Sequence, residues 1–275
     1  MKYLFYRLII FLDTANENDT NYNIAWFMAN NFKEVAHMGI SEMAKACFVS
    51  PATISRFCRA LGYENFAHLK LECEIFQKNM VRYDNLARVP MEELQKNPKI
   101  ATRRYVQDIN QRMSELEDYL DWDEIDAALK LIHDSKTVAF FGTQFSHSAA
   151  LHLQTDLMML DKFSIAYMDA EQQLECAKVL DKNSVAIIIS VNGHYLDTGS
   201  KALHYIKKSG AKMVLITNNK AIPLSKEVDH VIEIGHPSGM RYGKHTLLTT
   251  VELMSCRYFD LYSRNHCAGH RSGPL

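Results

Sequence analysis

Residues 50–62 read SPATISRFCRALG and contain both a start signal and a stop signal for one short helix. Ser50 is a good N-cap, Pro51 suits the first helical position, and Gly62 is typical of the residue just past a helix end. The pattern before it predicts another short helix over residues 40–48, with a turn of about three residues between the two. Two short helices joined in this way are a helix-turn-helix candidate.

The second helix of this pair has an apolar face and a polar outer face. A polar outer face suits the major groove, because helix-turn-helix proteins read base edges from the N-terminal part of their second helix. From Met43 to Tyr63 every charged residue is basic. Amphipathic helix pairs with solvated arginines also occur without binding DNA, so the pattern alone leaves both interpretations open. The residues predicted to contact DNA are Ser50, Thr53, Ser55, Arg56 and Arg59.

Composition limits the kinds of partner. The 275 residues include 31 basic and 32 acidic side chains, for a formal charge of -1. DNA binding therefore needs a local basic patch, since the whole molecule has no positive field. No stretch reaches the roughly 18 to 20 apolar residues of a membrane span. The opening apolar run, residues 8–12, is followed by acidic residues and not by a cleavage site, so we do not expect it to be a signal peptide. We expect a soluble, cytoplasmic protein with no membrane partner.

The sequence predicts neither a metal site nor a cofactor. Six cysteines lie far apart without a C-x-x-C pair, as expected for reduced thiols. The best metal-like cluster is His266, Cys267 and His270. It falls in residues 264–275, which we expect to form a flexible tail, and a frayed end lacks the outer groups that orient metal ligands.

A change of periodicity divides the chain. Residues 1–80 are helical throughout and predict an all-α helix-turn-helix domain, and residues 81–120 predict a linker and a helix. Residues 121–263 alternate short apolar runs with helical stretches, which predicts an α/β three-layer sandwich with a parallel sheet of about five strands. The predicted strands are Thr137–Phe141, Ser164–Met168, Val185–Ser190, Lys212–Thr217 and His230–Ile234.

Two loops of this domain are candidates for ligand binding, because ligands of open parallel sheets bind beyond the carboxyl ends of the strands. The first loop is Gly142–Ser146, followed by a predicted helix from Ser146 to Leu160. With Ser146 as its cap, the N-terminus of that helix could receive an anion such as a phosphate. The second loop is Ser190–Tyr195, followed by a predicted helix from about Asp197.

Both halves resemble parts of one protein family. Residues 41–70, which include SPATISRFCRALGY, closely resemble the N-terminal domain of RpiR/MurR-type bacterial transcriptional regulators. Residues 137 to about 235 resemble a SIS, or sugar isomerase, domain, which such regulators carry in the same order. The resemblance implies that residues 50–62 are the DNA-recognition helix. It also implies that a phosphosugar-type effector bound by the SIS domain modulates affinity for a double-stranded DNA operator.

The two loops depart from the family pattern. The first is typically G-x-G-x-S, and Gln144 replaces its second glycine; the second is typically S-x-S-G-x-[ST], and Asn192 and Tyr195 replace small hydroxyl residues. Either a modified cradle still holds a phosphosugar, with His194 adding a donor, or the pocket has changed toward another ligand or none. The residues that the resemblance places in the effector site are Gly142, Ser146, Ser190, Asn192, Gly193 and Tyr195.

Catalysis is the main rival function, since SIS domains also occur as sugar-phosphate isomerases. An isomerase needs a positioned general base, and the candidates by location are Glu171, His194, His245 and Glu252. No pair among them forms a motif, and an isomerase has no need of a helix-turn-helix. We therefore expect a regulator with no catalytic residue.

The last expectation concerns assembly. One helix-turn-helix contacts only a half-site, so we expect a homodimer or a higher homo-oligomer. The predicted subunit contact is the SIS domain with its C-terminal helix, residues 245–262, whose apolar residues are Leu247, Leu248, Val251, Leu253 and Met254. The alternative is that this helix only covers the sheet. A SIS domain that serves only this oligomerisation is the third interpretation.

Overall fold

The computed structural model describes residues 3–80, 91–191, 201–237 and 243–263. The chain separates into two compact units, Met1–Pro98 and Lys99–Leu275. The described part of the first unit is helical, and the second unit contains a sheet, so the predicted fold class is confirmed. Within the described residues no helix is long and apolar enough to cross a membrane.

The helices of the first unit between Tyr3 and Met80 pack around one apolar core. Met43, Ile54 and Phe57 are fully buried there, and the ring of Phe11 meets that of Phe57 edge-to-face at 5.9 Å. The predicted recognition helix, residues 50–62, is therefore held by its apolar face. The helices are α1 (Tyr3–Thr14), α2 (Thr20–Asn30), α3 (Phe32–Val35), α4 (Ile40–Ala46), α5 (Pro51–Ala60), α6 (Phe66–Met80) and α7 (Met91–Lys96).

The second unit has a five-stranded sheet in the order β2-β1-β3-β4-β5, with all pairs parallel. Its strands are β1 (Thr137–Phe141), β2 (Ser164–Ile165), β3 (Ser184–Ile189), β4 (Lys212–Thr217) and β5 (His230–Glu233). Its helices are α8 (Pro98–Tyr119), α9 (Trp122–Asp134), α10 (Phe145–Met159), α11 (Ala170–Val179), α12 (Lys201–Ser209) and α13 (Gly243–Tyr258), and α13 continues as a π-helical turn, Phe259–Ser263.

Alternate residues of each central strand enter different cores. Val138 and Phe140 of β1 pack with α9, α10 and α13, whereas Ala139 and Phe141 pack with α11 and α12. β3 is buried along its whole length, as expected for a parallel strand covered on both faces. The sheet therefore lies between two helical layers, which is the predicted sandwich.

One strand is shorter than its apolar run predicts. The run Ser164–Met168 forms a strand only over Ser164–Ile165, which pairs with β1 through two residues. Beyond it, the carbonyl of Tyr167 accepts a hydrogen bond of 2.8 Å from the side chain of Gln173. This bond connects the chain to α11 instead of to β1.

Candidate DNA-reading surface and effector site

Helix α5, the predicted recognition helix, begins as its sequence predicts. Ser50 is the N-cap, and its Oγ accepts a hydrogen bond of 3.2 Å from the Thr53 amide, while Pro51 occupies the first turn. The turn from α4 comprises residues 47–50. A capped N-terminus exposes its positive dipole end, which favours contact with phosphate.

The end of α5 is anchored to α1. Gly62 adopts φ +80°, and its amide and the Tyr63 amide bond back to the carbonyls of Arg59 and Cys58, each at 2.9 Å, which is a Schellman motif. Arg7 donates to the Leu61 carbonyl at 2.5 Å and lies over the Tyr63 ring at 5.1 Å. The recognition helix is thus fixed at its far end by a side chain of another helix.

The outer face of α5 carries the predicted DNA contacts. Arg56 and Arg59 are exposed, and Thr53 and Ser55 are half-buried. Arg56 Nη2 donates to Thr53 Oγ1 at 3.2 Å, and Arg59 Nε donates to the Ser55 carbonyl at 3.4 Å. These bonds lay both guanidinium groups along the helix surface, where they form one polar, basic strip with the N-cap.

The cysteine on the inner face of α5 also behaves as an apolar residue. Cys58 is fully buried, and burial raises the pKa of its thiol to about 11. The thiol therefore stays protonated at neutral pH and packs as a small apolar group.

The first loop of the second unit packs closely on the end of β3. A Cβ on Gly142 would lie 3.0 Å from Ser146 Cβ and 3.1 Å from the Ile189 carbonyl oxygen, so a larger residue would need these neighbours to shift. Ser190 follows Ile189 directly and is buried; its carbonyl accepts a 2.9 Å bond from Thr217 Oγ1. The structure therefore brings Gly142, Ser146 and Ser190 to the same edge of the sheet.

The predicted capping role of Ser146 is wrong. Helix α10 begins at Phe145, its N-cap is Gln144, and no side-chain bond caps it. The Ser146 amide donates to the Thr143 carbonyl at 3.1 Å, because the loop closes as a tight turn one residue earlier than predicted. That amide is therefore already bonded, and the Ser146 side chain is half-buried.

Gln144 has a backbone conformation that favours glycine, with φ +52° and ψ −121°. This is the position of the second glycine in the family's loop. The loop is held by Gln173, which is 2% exposed and whose Nε2 donates to the Gly142 carbonyl at 2.8 Å. Gln173 therefore supports the loop from α11, and the sequence analysis did not single it out.

Asn218, directly after β4, is a second residue that the sequence analysis missed. It is 2% exposed, and its Oδ1 has no hydrogen-bond partner among the described residues. The backbone amide of Asn218 donates to the Val191 carbonyl at 3.1 Å. A Cβ on Gly243, the first residue of α13, would lie 2.8 Å from Asn218 Nδ2, so this glycine lets the helix start against the strand ends. The sequence signal is a polar residue directly after a buried strand.

A small cavity of about 10 Å³ lies beside Asn218, enough for about one water molecule. Arg112 donates to Glu115 across its rim at 2.6 Å, and hydrogen bonds from Arg112 and Gln111 hold the pKa of Glu115 below its ordinary value. The residues lining the cavity are Arg112, Glu115, Tyr119, Asn218, Ile234, Gly235, His236 and Thr246. The lining of the cavity therefore contains a positive charge on Arg112, a negative charge on Glu115 and the unsatisfied Oδ1 acceptor of Asn218.

Part of the predicted effector site lies outside the described residues. Asn192, Gly193 and Tyr195, together with His194, lie outside the described residues. Among the catalytic candidates, Glu171 and Glu252 are exposed on helices α11 and α13, and His245 Nε2 is 3.2 Å from the hydroxyl of Tyr105. The described residues contain no group of three or more His, Cys, Asp or Glu that could hold a metal ion.

The C-terminal helix contributes mainly to its own unit. Leu247, Val251 and Met254 are fully buried in the core beside the sheet, so the expectation that they contact a second subunit is wrong. Leu248 is 39% exposed and Leu253 is half-buried. Only these two of the five predicted contact residues face outward.

Comparison with known proteins agrees with this architecture. Residues 11–78 match the family model "Helix-turn-helix domain, rpiR family", and residues 131–256 match the SIS domain model. The HTH-type transcriptional regulator RpiR of Escherichia coli K12 is 24% identical over 218 residues, covering 78% of this chain and 71% of that protein. An uncharacterized HTH-type transcriptional regulator of Haemophilus influenzae is 25% identical over 210 residues, covering 76% and 72%.

A solved structure shares the whole fold. The Vibrio vulnificus NanR protein complexed with ManNAc-6P superimposes with a TM-score of 0.53 at 16% identity, covering 96% of this chain and 95% of that one. A helix-turn-helix unit followed by a SIS unit defines a DNA-binding transcriptional regulator. The chain belongs to the RpiR family of these regulators.

Proposed function

We propose that this regulator binds an operator through α5 and that a phosphosugar-type effector, bound at the carboxyl edge of its SIS sheet, changes the operator affinity. Its reader occupies residues 1–80, its linker and connecting helix 81–120, and its sensor 121–263, followed by a tail, 264–275. We place it in the bacterial cytoplasm, where its operator is accessible.

The observation that carries the effector proposal is the convergence of polar groups at one sheet edge. Ser146 Cβ and the Ile189 carbonyl at the end of β3 both lie close to Gly142, and Ser190 follows Ile189. After the adjacent strand β4, the Oδ1 of Asn218 is an acceptor without a hydrogen-bond partner among the described residues. A sugar phosphate carries both an anion for hydroxyl donors and hydroxyls for an acceptor. NanR, which shares the fold, is complexed with ManNAc-6P. We assign Asn192, Gly193 and Tyr195 to the same site from the sequence alone.

The effector proposal is tested by thermal stabilisation of the full chain with a panel of sugar phosphates and amino-sugar phosphates, each paired with its unphosphorylated sugar. Occupancy of the native state raises its stability by about 2.7 kcal/mol at a ligand concentration of 100 Kd. We expect a shift with a phosphorylated member, lost in Ser146→Ala. Ser148→Ala is the matched control, because Ser148 is exposed on the same helix and should leave the shift unchanged.

A panel without any shift would contradict the effector proposal and favour a SIS domain that serves oligomerisation. Turnover of a bound sugar phosphate would instead favour an isomerase. We propose no catalytic role, since Glu171 and Glu252 are exposed on helices.

The DNA contacts are assigned to Ser50, Thr53, Ser55, Arg56 and Arg59. Each arginine that neutralises a phosphate releases counterions, so Arg56→Ala and Arg59→Ala should weaken binding and reduce the salt dependence by about one charge each. The probe is a duplex selected by the full-length protein from a random-sequence pool. Arg103→Ala, an exposed arginine of α8, is the control. Normal operator affinity in both α5 variants would contradict the assignment of α5 as the recognition helix.

We propose that the regulator acts as a homodimer or a higher homo-oligomer. Two symmetric readers engage two half-sites, and an effector changes operator affinity by its differential affinity for the arrangements of those readers. The expected operator is therefore an inverted repeat. An operator selected without two-fold symmetry would contradict this assembly.

A further inference from the structure

The turn before the recognition helix holds a solvent-exposed aromatic side chain. Phe48 is 96% exposed, the largest exposed fraction among the large apolar side chains of the described residues. The flanking Cys47 and Val49 are half-buried and pack against the core of the first unit. The backbone of the turn is thus held on both sides while the Phe48 ring projects into solvent.

Phe48 also has a backbone conformation that favours glycine. Its φ is +57°, and its amide donates to the Lys45 carbonyl at 3.2 Å while the Val49 amide donates to the Ala44 carbonyl at 2.9 Å. Helix α4 thus ends in a Schellman motif, the same motif that ends α5, where Gly62 occupies the corresponding position.

Neither feature stabilises the isolated chain. A bulky residue in the left-handed region is strained, and a ring left in water gains nothing from burial. Glycine would satisfy the same hydrogen bonds without strain. A strained, exposed residue that the surrounding structure holds in place is a reason to look for a functional contact.

The position of Phe48 indicates that contact. It lies two residues before the N-cap Ser50, at the end of α5 that approaches base edges in helix-turn-helix proteins. The exposed Lys45 lies in the same segment, which contains no acidic residue from Met43 to Tyr63. An anionic duplex can therefore approach the ring without repulsion from this segment.

We propose that Phe48 is a DNA-contacting residue whose ring packs against apolar atoms of the operator, either thymine methyl groups or deoxyribose carbons. Phenylalanine is one of the side chains that contact the thymine methyl in the major groove. This inference rests on the proposed DNA reading by α5 and adds an apolar contact to its polar ones.

The test compares Phe48→Gly with the wild type on the selected duplex. We expect operator affinity to fall by about three- to tenfold, which corresponds to loss of one apolar contact. The melting temperature should be no lower than that of the wild type, because glycine relieves the strain and no buried area is lost. Phe163→Ala, an exposed phenylalanine of the second unit, should leave the affinity unchanged.

Replacing thymine by uracil in the same duplex distinguishes the two sources of apolar contact. If the ring packs on thymine methyl groups, uracil weakens the wild type and not Phe48→Gly. If it packs on deoxyribose, uracil has the same effect on both proteins while Phe48→Gly still binds less tightly.

If Phe48→Gly binds the duplex as tightly as the wild type while Arg56→Ala still binds it weakly, this inference is overturned. The proposal that α5 binds DNA would then still stand. If Arg56→Ala and Arg59→Ala also bind normally, the proposed reader and this inference both fail.

Discussion

Replacing Gly62 by alanine should destabilise the DNA-reading unit. Gly62 has φ +80°, and an added Cβ would lie 2.7 Å from Arg7 Nη1, the group that donates to the Leu61 carbonyl. The left-handed conformation costs an alanine about 1 to 2 kcal/mol. Displacing Arg7 loses a hydrogen bond worth roughly 1 kcal/mol. The expected loss is therefore about 2 to 3 kcal/mol.

The assay is thermal unfolding of the full chain, followed separately for the first unit. The full chain has two tryptophans, Trp26 in the first unit and Trp122 in the second. In a Trp122→Phe background, the fluorescence of Trp26 therefore reports on the first unit. The melting temperature of a unit of this size changes by about 4 to 8 °C for each kcal/mol of unfolding free energy. The melting temperature of the first unit should therefore fall by roughly 10 to 20 °C. The second unit should be unaffected.

Gly39→Ser is the matched control in the same unit. Gly39 is the N-cap of α4 with φ −83°, and its nearest obstacle is a Glu42 carboxylate oxygen at 3.6 Å, an ordinary contact. Serine is a preferred N-cap, so this variant should be unchanged or slightly more stable. Equal melting temperatures for Gly62→Ala and the wild type would refute the assigned role of Gly62.

Three further outcomes follow from the structure. Ser50→Asp should keep the helix cap, since aspartate is as good an N-cap as serine, yet weaken DNA binding measured by fluorescence anisotropy, because its charge repels phosphate. Burial would raise the pKa of Asp229, but hydrogen bonds from Lys212 and a backbone amide outweigh it and hold that pKa below its ordinary value. Its stabilisation is therefore complete above about pH 4 and is lost as the pH falls through the lowered pKa, so Asp229→Asn should be less stable than the wild type at pH 7 in urea unfolding, and the difference should shrink in acid. In the native protein a thiol reagent should label the exposed Cys256 and leave the buried Cys58 unmodified, which peptide mapping would check.

The structure supports the sequence predictions best where the decisive contacts are local. Ser50, Pro51 and Gly62 determine the start and the end of α5 through bonds within the helix and its flanking residues, so a single sequence contains the information. The three central strands β1, β3 and β4 were predictable for a related reason, because each is an apolar run that is buried along nearly its whole length.

The predictions fail where a distant residue decides the local structure. The strand β2 ends early because Gln173 takes the carbonyl of Tyr167, and Asn218 becomes part of a site only because β4 lies beside β3 and α13 starts against both. Strand order and helix approach are properties of the folded chain. No spacing in the sequence specifies them.

The two loop departures from the family pattern have different consequences. At Gln144 the backbone keeps a glycine-like conformation although the glycine is absent, because Gly142 packs on the end of β3 and Gln173 holds its carbonyl. The shape of the first loop is thus determined by its neighbours and not by its second glycine. Tyr195 lies outside the described residues, and in the sequence it replaces a small hydroxyl residue of the family pattern with a much larger one. Under the proposed function, we therefore expect any difference in effector between this regulator and its relatives to arise from the second loop, because the first loop keeps a glycine-like backbone without its second glycine.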